Sequence, residues 1–427
     1  MTSRKIITDR IRQTAHDLQD ILTGIRRDLH RHPERSGEER WTADYLAEKL
    51  GRLGLRVRRQ VGGHGLVADL ITDRSSPTTA LRVDMDALPI QEISERPYRS
   101  RVPGVMHACG HDVHSAIGIG TAAILLEISD NLPGNVRFLF QPEEEEITGA
   151  LRMIRAGALS DPPAPSTIYG LHVAPFPAGK LAWTPDLFLA GFEHYLAVLT
   201  AAGGGHLTPQ QLEAIAHRCC RVIRGFNRWH LPETWEKMRD FWNILQEGPE
   251  SLQHFIIYSA SVNEINPRAW MGQFGIGIKA ADRHLRRAAL GRIRAALNTI
   301  CRATHSQVAL EPMGSMPDMR NDDRLVSARL PILNQVLGDQ NLIPLKAAFP
   351  FNCEDFTYYT KHLPGAMFWL GAANPADGKH AMLHTPDFDV DETCLATGSA
   401  AMAGILWDDL QARRASAIFP RGCSDRV

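Results

Sequence analysis

The chain has 427 residues, of which 44% are hydrophobic and 22% charged, and a formal net charge of −1. That length predicts two domains, and that composition excludes a disordered chain. The near-zero net charge speaks against nucleic-acid or membrane-surface partners, which leave a basic excess.

Residues Met1 to Arg10 lack an apolar core of secretory-signal length, and no apolar run elsewhere is long enough to span a bilayer. Seven cysteines, at positions 109, 219, 220, 301, 353, 394 and 423, are scattered and odd in number. The pattern fits a reducing compartment better than a disulfide framework, so a soluble cytoplasmic protein is expected.

In chain order, Ser36-Gly-Glu-Glu39 reads as a capping box opening a helix from Trp41 to Leu53, with Gly54 as its stop. Short apolar runs follow at 65–71, 80–83, 136–140, 168–171 and 366–370, with helical stretches such as 115–129 between several of them. Buried strands alternating with helices predict an α/β sheet covered on both faces. Three runs end in ionisable residues: Asp84 and Asp86, then Glu143 to Glu146, then His172. Ligands of open α/β sheets bind outside the carboxyl ends of strands, so the three clusters point to one crevice.

The texture changes near Gly191. A strand-like run from Tyr195 to Thr200 leads to Gly-Gly-Gly-His206, and Thr208-Pro-Gln-Gln211 reads as a second capping box with Pro209 at the first helical position. Trp235, Met238, Trp242 and Leu245 then recur at helical spacing, as do Leu285, Ala289, Ile293, Leu297 and Ile300. Residues 191–310 are therefore expected to form an inserted α+β domain.

The densest chemistry lies in Met106-His-Ala-Cys-Gly-His-Asp-Val-His114. Thiolate and imidazole are ligands for zinc-like ions, and Gly110 lets the backbone bring Cys109 and His111 together. Asp112 and His114 are candidates to orient such ligands. Phe140-Gln-Pro-Glu-Glu-Glu-Glu146 places adjacent carboxylates after a strand, where one binds metal and its neighbour moves protons. The same run reads equally well as a solvated charge cluster. His172 and His384, in Gly170-Leu-His-Val173 and Leu383-His-Thr-Pro-Asp-Phe388, are by themselves as readily hydrogen-bonded core residues. No Gly-x-Ser-x-Gly elbow is present.

Together these segments resemble the metal-dependent amidohydrolase family of hippurate hydrolases, N-acyl-amino-acid amidohydrolases and indoleacetyl-amino-acid hydrolases, a branch of the aminoacylase and glutamate-carboxypeptidase-like superfamily. The matching stretches are Arg26 to Glu34, Leu81 to Ile90, Gly104 to Asp112, Arg137 to Pro142 with the glutamates, Gly170 to Val173, Glu354 to Phe356, and His384-Thr-Pro with Phe388, all in family order. The resemblance implies a central mixed-sheet α/β/α catalytic domain, discontinuous over 1–190 and 311–427. It implies a ferredoxin-like lid and dimerisation domain at 191–310, and a homodimer formed through it. It assigns Cys109, His111, Glu145, His172 and His384 to two divalent metal ions per subunit, zinc or manganese before cobalt or nickel. Glu144 falls at the general base that activates a metal-bridging water, Asp86 at the support of a metal-bound histidine, and His206 at the lid histidine that polarises the scissile carbonyl. Asp84 stands where relatives outside this branch have a histidine ligand.

The implied substrate is a small amide, an N-acyl amino acid whose acyl group is bulky or aromatic if rings of the 219–248 segment face the cleft. Rival readings are a dipeptidase or carboxypeptidase, an N-acetyl-diamino-acid deacetylase, and a metal-bound protein without turnover. Three departures bear on the substrate. Glu146-Ile-Thr-Gly149 replaces a glycine run, Asn263-Glu-Ile-Asn-Pro267 carries an extra residue in the substrate-binding Asn-Val-Ile-Pro stretch, and Lys279 aligns with the carboxylate-binding arginine. The segment from Cys219 to Gly248 matches poorly, and its aromatic stripe is more often core or dimer interface than pocket.

Overall fold

Three helices, α1 (Ser3–Asp17), α2 (Gln19–Arg31) and α3 (Arg40–Arg52), lead into β1 (Arg56–Arg58), β2 (Leu66–Leu70) and β3 (Thr78–Asp84) of a computed structural model that describes residues 3–266, 268–380 and 382–418. Then come α4 (His111–Glu127), β4 (Asn135–Gln141), α5 (Gly149–Arg155), β5 (Ile168–Pro177), β6 (Leu181–Trp183) and β7 (Leu187–Leu189). A second group holds β8 (Gly191–Ala201), α6 (Pro209–Arg224), α7 (Trp235–Glu247), α8 (Glu250–Gln253), β9 (Ile256–Asn266), β10 (Met271–Ala280), α9 (Arg283–Ala303) and β11 (Ser306–Met316). The chain ends with β12 (Met319–Arg320), α10 (Asp323–Leu337), β13 (Leu342–Pro344), α11 (Thr357–Thr360), β14 (Gly365–Ala373) and α12 (Cys394–Ile418).

The large sheet runs β1-β2-β4-β3-β5-β14-β6-β13, with β4, β3, β5 and β14 mutually parallel. Alternate residues feed its two faces. Leu81, Val83, Phe138, Phe140, Leu171 and Val173 pack with α1 to α4, α10 and α12. Ala80, Leu139, Ile168, Ala174 and Trp369 pack on the other side with α5, α7 and α11. The result is the mixed α/β sandwich expected from the alternating pattern. Helix α4 is buried nearly all round because Gly118 and Gly120 admit neighbours. A Cβ at Gly118 would meet the Phe140 ring at 3.0 Å, and one at Gly120 would meet Ser399 Oγ at 2.3 Å.

The second sheet is antiparallel, in the order β11-β8-β10-β9. Helices α6 and α9 cover one face through Ala197, Leu199, Phe274, Ile276 and Ile278. Thr208 and Gln211 form the capping box read from the sequence. The extra residue near Asn263 is absorbed as a bulge, since Gln273 pairs with Glu264 but Phe274 with Val262. Pro267 and Cys423 lie outside the described residues, and the other six cysteines are free.

The first capping box is a correction. Ser36 Oγ donates to Asp86 Oδ2 at 2.7 Å, and the Glu39 carboxylate accepts the Glu143 N–H at 2.9 Å. Helix α3 is instead capped from outside by Glu34, which accepts the N–H groups of Trp41 and Thr42 at 3.0 and 2.8 Å. Ser36 and Glu39 fit the local motif, but tertiary partners claim both side chains. No described helix is long and apolar enough to cross a membrane.

Candidate metal centre

Strands β4 and β5 flank β3, while the connecting helices α4 and α5 cover opposite faces of the sheet. Such a switch point leaves a crevice at the strands' carboxyl ends. Asp84 ends β3, and Glu143 to Glu145 follow β4. His172 lies inside β5 rather than after it, because β5 continues beside β14 with His172 opposite Trp369.

Gly110 joins Cys109 to α4, whose first residue is His111. Its φ of +83° is left-handed, and a Cβ there would lie 2.4 Å from Val173 Cγ2. Glycine alone meets both demands, which lets the thiol and the imidazole enter one pocket. His384 arrives from a distant loop tied down by its N–H to the Ala108 carbonyl at 2.8 Å. Its own φ is +60°, a strained conformation of the kind that collects at functional sites.

Two donor triads result, Cys109 with His111 and His172, and Cys109 with Glu145 and His384, each with its ligand atoms within 4.8 Å of one another. Cys109 Sγ lies 3.4 Å from His172 Nε2 and 3.3 Å from His384 Nε2. His384 Nε2 is 3.5 Å from Glu145 Oε1. Outer partners fix the tautomers: His111 Nδ1 donates to Asp86 Oδ1 at 3.1 Å and His172 Nδ1 to the Val173 carbonyl at 2.7 Å. Each ring thereby turns its Nε2 lone pair inward. Asp86 also accepts Ser36 and, at 3.1 Å, the Glu145 N–H.

His111 Nε2 and Glu145 Oε1, 3.9 Å apart, are both buried without a hydrogen-bond partner. Two buried polar atoms that face each other without a partner are costly unless a cation lies between them. The donor set therefore fits a divalent metal.

The electrostatics carry the same imbalance. Burial, with Glu354 and Glu145 beside it, raises the Glu144 carboxyl well above its ordinary range. Burial lifts Glu145 to about 7 against the pull of His111. At His111 burial opposes the proton, yet Asp84 and Asp86 push its pKa up to about 10. Burial, with Glu145 and Glu144, raises the Cys109 thiol far above the usual value, whereas a nucleophilic cysteine needs electropositive surroundings. Burial, aided by His111 and Lys279, takes His384 down to about 4. Excess negative charge is met in part by Arg82, which is fully buried against Asp84 at 2.7 Å and Glu354 and Asp355 at 3.0 Å.

The other candidates fall in different places. Asp112 turns away from the donors to Arg26 and His30, at 2.8 and 2.7 Å, because α2 presses a buried guanidinium against α4. His114 does support the site, holding Asp84 at 2.6 Å through Nδ1 and accepting the Val173 N–H at 2.9 Å. Lys279, on β10, reaches the catalytic side, where its ammonium donates to the Phe351 carbonyl and its charge is felt at His384 and Cys353. Asn263 stays on the second sheet, accepting the Gly275 N–H at 3.2 Å. His206 is exposed beyond the far end of β8, edge-on to Trp270 at 5.4 Å. Neither touches the donor triads.

Sequence reasoning missed Arg82, the role of Ser36 on Asp86, and the roles of Glu354 and Asp355. An arginine inside the apolar strand Leu81-Arg-Val83 was the available signal, since a buried charge demands partners.

Residues 80–408 match the family described as peptidase family M20/M25/M40. A Synechocystis protein named "Probable hydrolase sll0100" is 32% identical over 93% of this chain and 98% of its own length. "IAA-amino acid hydrolase ILR1-like 2" of Arabidopsis thaliana is 31% identical over 90% of this chain and 84% of its own. The crystal structure of the Bacillus subtilis YXEP protein, titled a dinuclear metal binding peptidase from the M20 family, superposes with a TM-score of 0.71 at 24% identity, covering 93% of this chain and 99% of that one. The chain belongs to peptidase family M20/M25/M40 and is a hydrolase of amide bonds.

Proposed function

We propose that the protein hydrolyses the amide bond of an N-acyl amino acid or related small amide, with two divalent cations held by Cys109, His111, Glu145, His172 and His384. The observation that carries this reading is the pair of donor triads sharing Cys109, with His111 Nε2 and Glu145 Oε1 buried and unpartnered. The relatives' printed names, an amino-acid-conjugate hydrolase and a dinuclear peptidase, agree with it. Bound cations supply Lewis acidity toward the carbonyl and toward water. Imidazole, thiolate and carboxylate together suit zinc or manganese.

Glu144 is the proton carrier. It is buried beside the donors, and its carboxylate neighbours favour the protonated form once it has taken a proton from the attacking water. It then returns that proton to the departing amine. Asp86 keeps His111 in the tautomer that presents Nε2. Lys279 takes the substrate carboxylate as a point charge, without the two-pronged fork of an arginine. Within 191–310, the four-stranded sheet with α6 and α9 acts as lid and dimerisation domain, so that His206 serves the carbonyl in a second copy, while Asn263 binds substrate. The free cysteines suit a cytoplasmic setting.

The test is a panel of N-acyl and indoleacetyl amino acids with dipeptides, run on protein whose metal content is measured. Hydrolysis of acyl amino acids over dipeptides is the expected result, and two bound metals with no turnover anywhere would sink it. Asp86→Asn is expected to weaken metal affinity about 10- to 100-fold, because the His111 tautomer is no longer held. Competition with a chromophoric chelator reads this, and unchanged affinity would remove Asp86 from the site.

A further inference from the structure

Between α6 and β9 the chain does not stay on the second sheet. Helix α7 folds back onto the large sheet and buries Met238, Phe241, Trp242 and Leu245 there. The dock is firm. Trp242 stacks on Phe349 at 5.7 Å and lies 4.9 Å from Phe176 and 6.0 Å from Trp369, which itself stacks on Phe188 at 4.6 Å. The Leu245 carbonyl accepts the N–H groups of Lys346 and Ala347 at 3.0 and 3.2 Å. At the end of α7, Gly248 lies so close to Lys346 that a Cβ would meet that side chain at 2.4 Å.

This helix walls a cavity of about 100 Å³ lined by Ala174, Leu231, Met238, Trp242, Trp369 and the metal-centre residue His384. We propose that α7 forms the specificity wall of an acyl pocket and restricts the substrate to compact aliphatic acyl groups. The inference rests on the amide-hydrolase reading above. The carboxylate half of such a substrate belongs with Lys279, whereas an apolar cavity takes the acyl chain. Apolar cavities of about 150 Å³ hold a benzene ring, so this smaller one is matched to a compact aliphatic group. Its rings are interlocked, so they do not swing aside for a larger group. The aromatic stripe thus faces the cleft and also excludes the bulky acyl group its presence suggested.

The experiment compares kcat/KM for N-isobutyryl-alanine and N-benzoyl-alanine in the metal-loaded full chain. The natural protein is expected to favour isobutyryl at least 10-fold. Met238→Ala and Trp242→Ala are expected to shrink that ratio at least 10-fold by admitting benzoyl, since a methylene's worth of space changes discrimination about 10- to 200-fold. Leu231→Ala, at an exposed position where folding is safe, is expected to shrink it severalfold. Equal turnover of both substrates by the natural protein, or a ratio unchanged in the variants that fold, overturns the pocket. Absence of any acyl-amino-acid hydrolysis overturns the parent reading instead. In that case tryptophan fluorescence decides the pocket: isobutyrate must bind at least 10-fold tighter than benzoate, and the reverse order overturns it.

Discussion

Glu144→Gln is expected to lower kcat by about 100- to 10,000-fold, the usual contribution of a positioned acid–base group. Glutamine keeps the size and the hydrogen-bonding reach of Glu144 but cannot carry a proton between water and amine. Its neighbours make the loss specific. Glu144 sits within ligand-atom reach of Glu145 and His111 on one side and of Glu354 and Asp355 on the other. A neutral glutamine spares the fold the cost of ionising a buried carboxyl among those neighbours, so the folded protein is expected to remain at least as stable as before. Turnover at saturating substrate, measured with metal content on the same sample, separates the roles. Metal retained with turnover lost is the expected pair of results; unchanged turnover would remove Glu144 from the chemistry.

The second large effect is on stability. Arg82→Met is expected to cost about 3–5 kcal/mol, because breaking a buried ion pair strands its partners without compensation. Arg82 is fully buried, donates to Gln141 Oε1 at 2.9 Å, and meets Asp84, Glu354 and Asp355. Burial, against the pull of Arg82, already places Asp355 at about 7. Without the guanidinium the Asp355 carboxyl holds its proton to still higher pH in the folded state than in the unfolded chain. A folded-state pKa raised in this way favours folding at low pH, and that contribution fades as pH rises. The deficit is therefore expected to be smaller at pH 5 than at pH 8. Urea unfolding at the two values tests both size and sign, and a deficit under about 1 kcal/mol would show that the network relaxes around the loss. Because Asp84 also holds His114, and His114 the backbone of Val173 beside His172, the damage is expected to reach the donors.

Much of this protein is legible in one dimension. Apolar runs with strand spacing locate β2, β3, β4, β5 and β14, since a strand buried on both faces needs little besides hydrophobic residues. Thr208 and Gln211 announce α6 because a capping box is satisfied by its own backbone. Ser36 and Glu39 have the same local pattern, but a serine hydroxyl beside a buried carboxylate gains more from Asp86 than from a helix terminus. The difference lies 50 residues away in sequence.

Residue chemistry by itself marks Cys109 and His111 as suited to hold a cation, and the family resemblance adds Glu145, His172 and His384 as ligands and Glu144 as the proton carrier. Ligand character is a property of the side chain, and Gly110 between Cys109 and His111 is a local backbone requirement. Only the tertiary structure decides how those donors group. Cys109 and His384 are 275 residues apart, and their contact depends on a loop hung from the Ala108 carbonyl. The free nitrogen of His111 is settled by Asp86, and the charge balance by Arg82. The tertiary structure also carries α7 off the second sheet to wall the cavity at His384. Periodicity tells a helix which face is apolar, but the surface that covers that face is chosen by long-range packing.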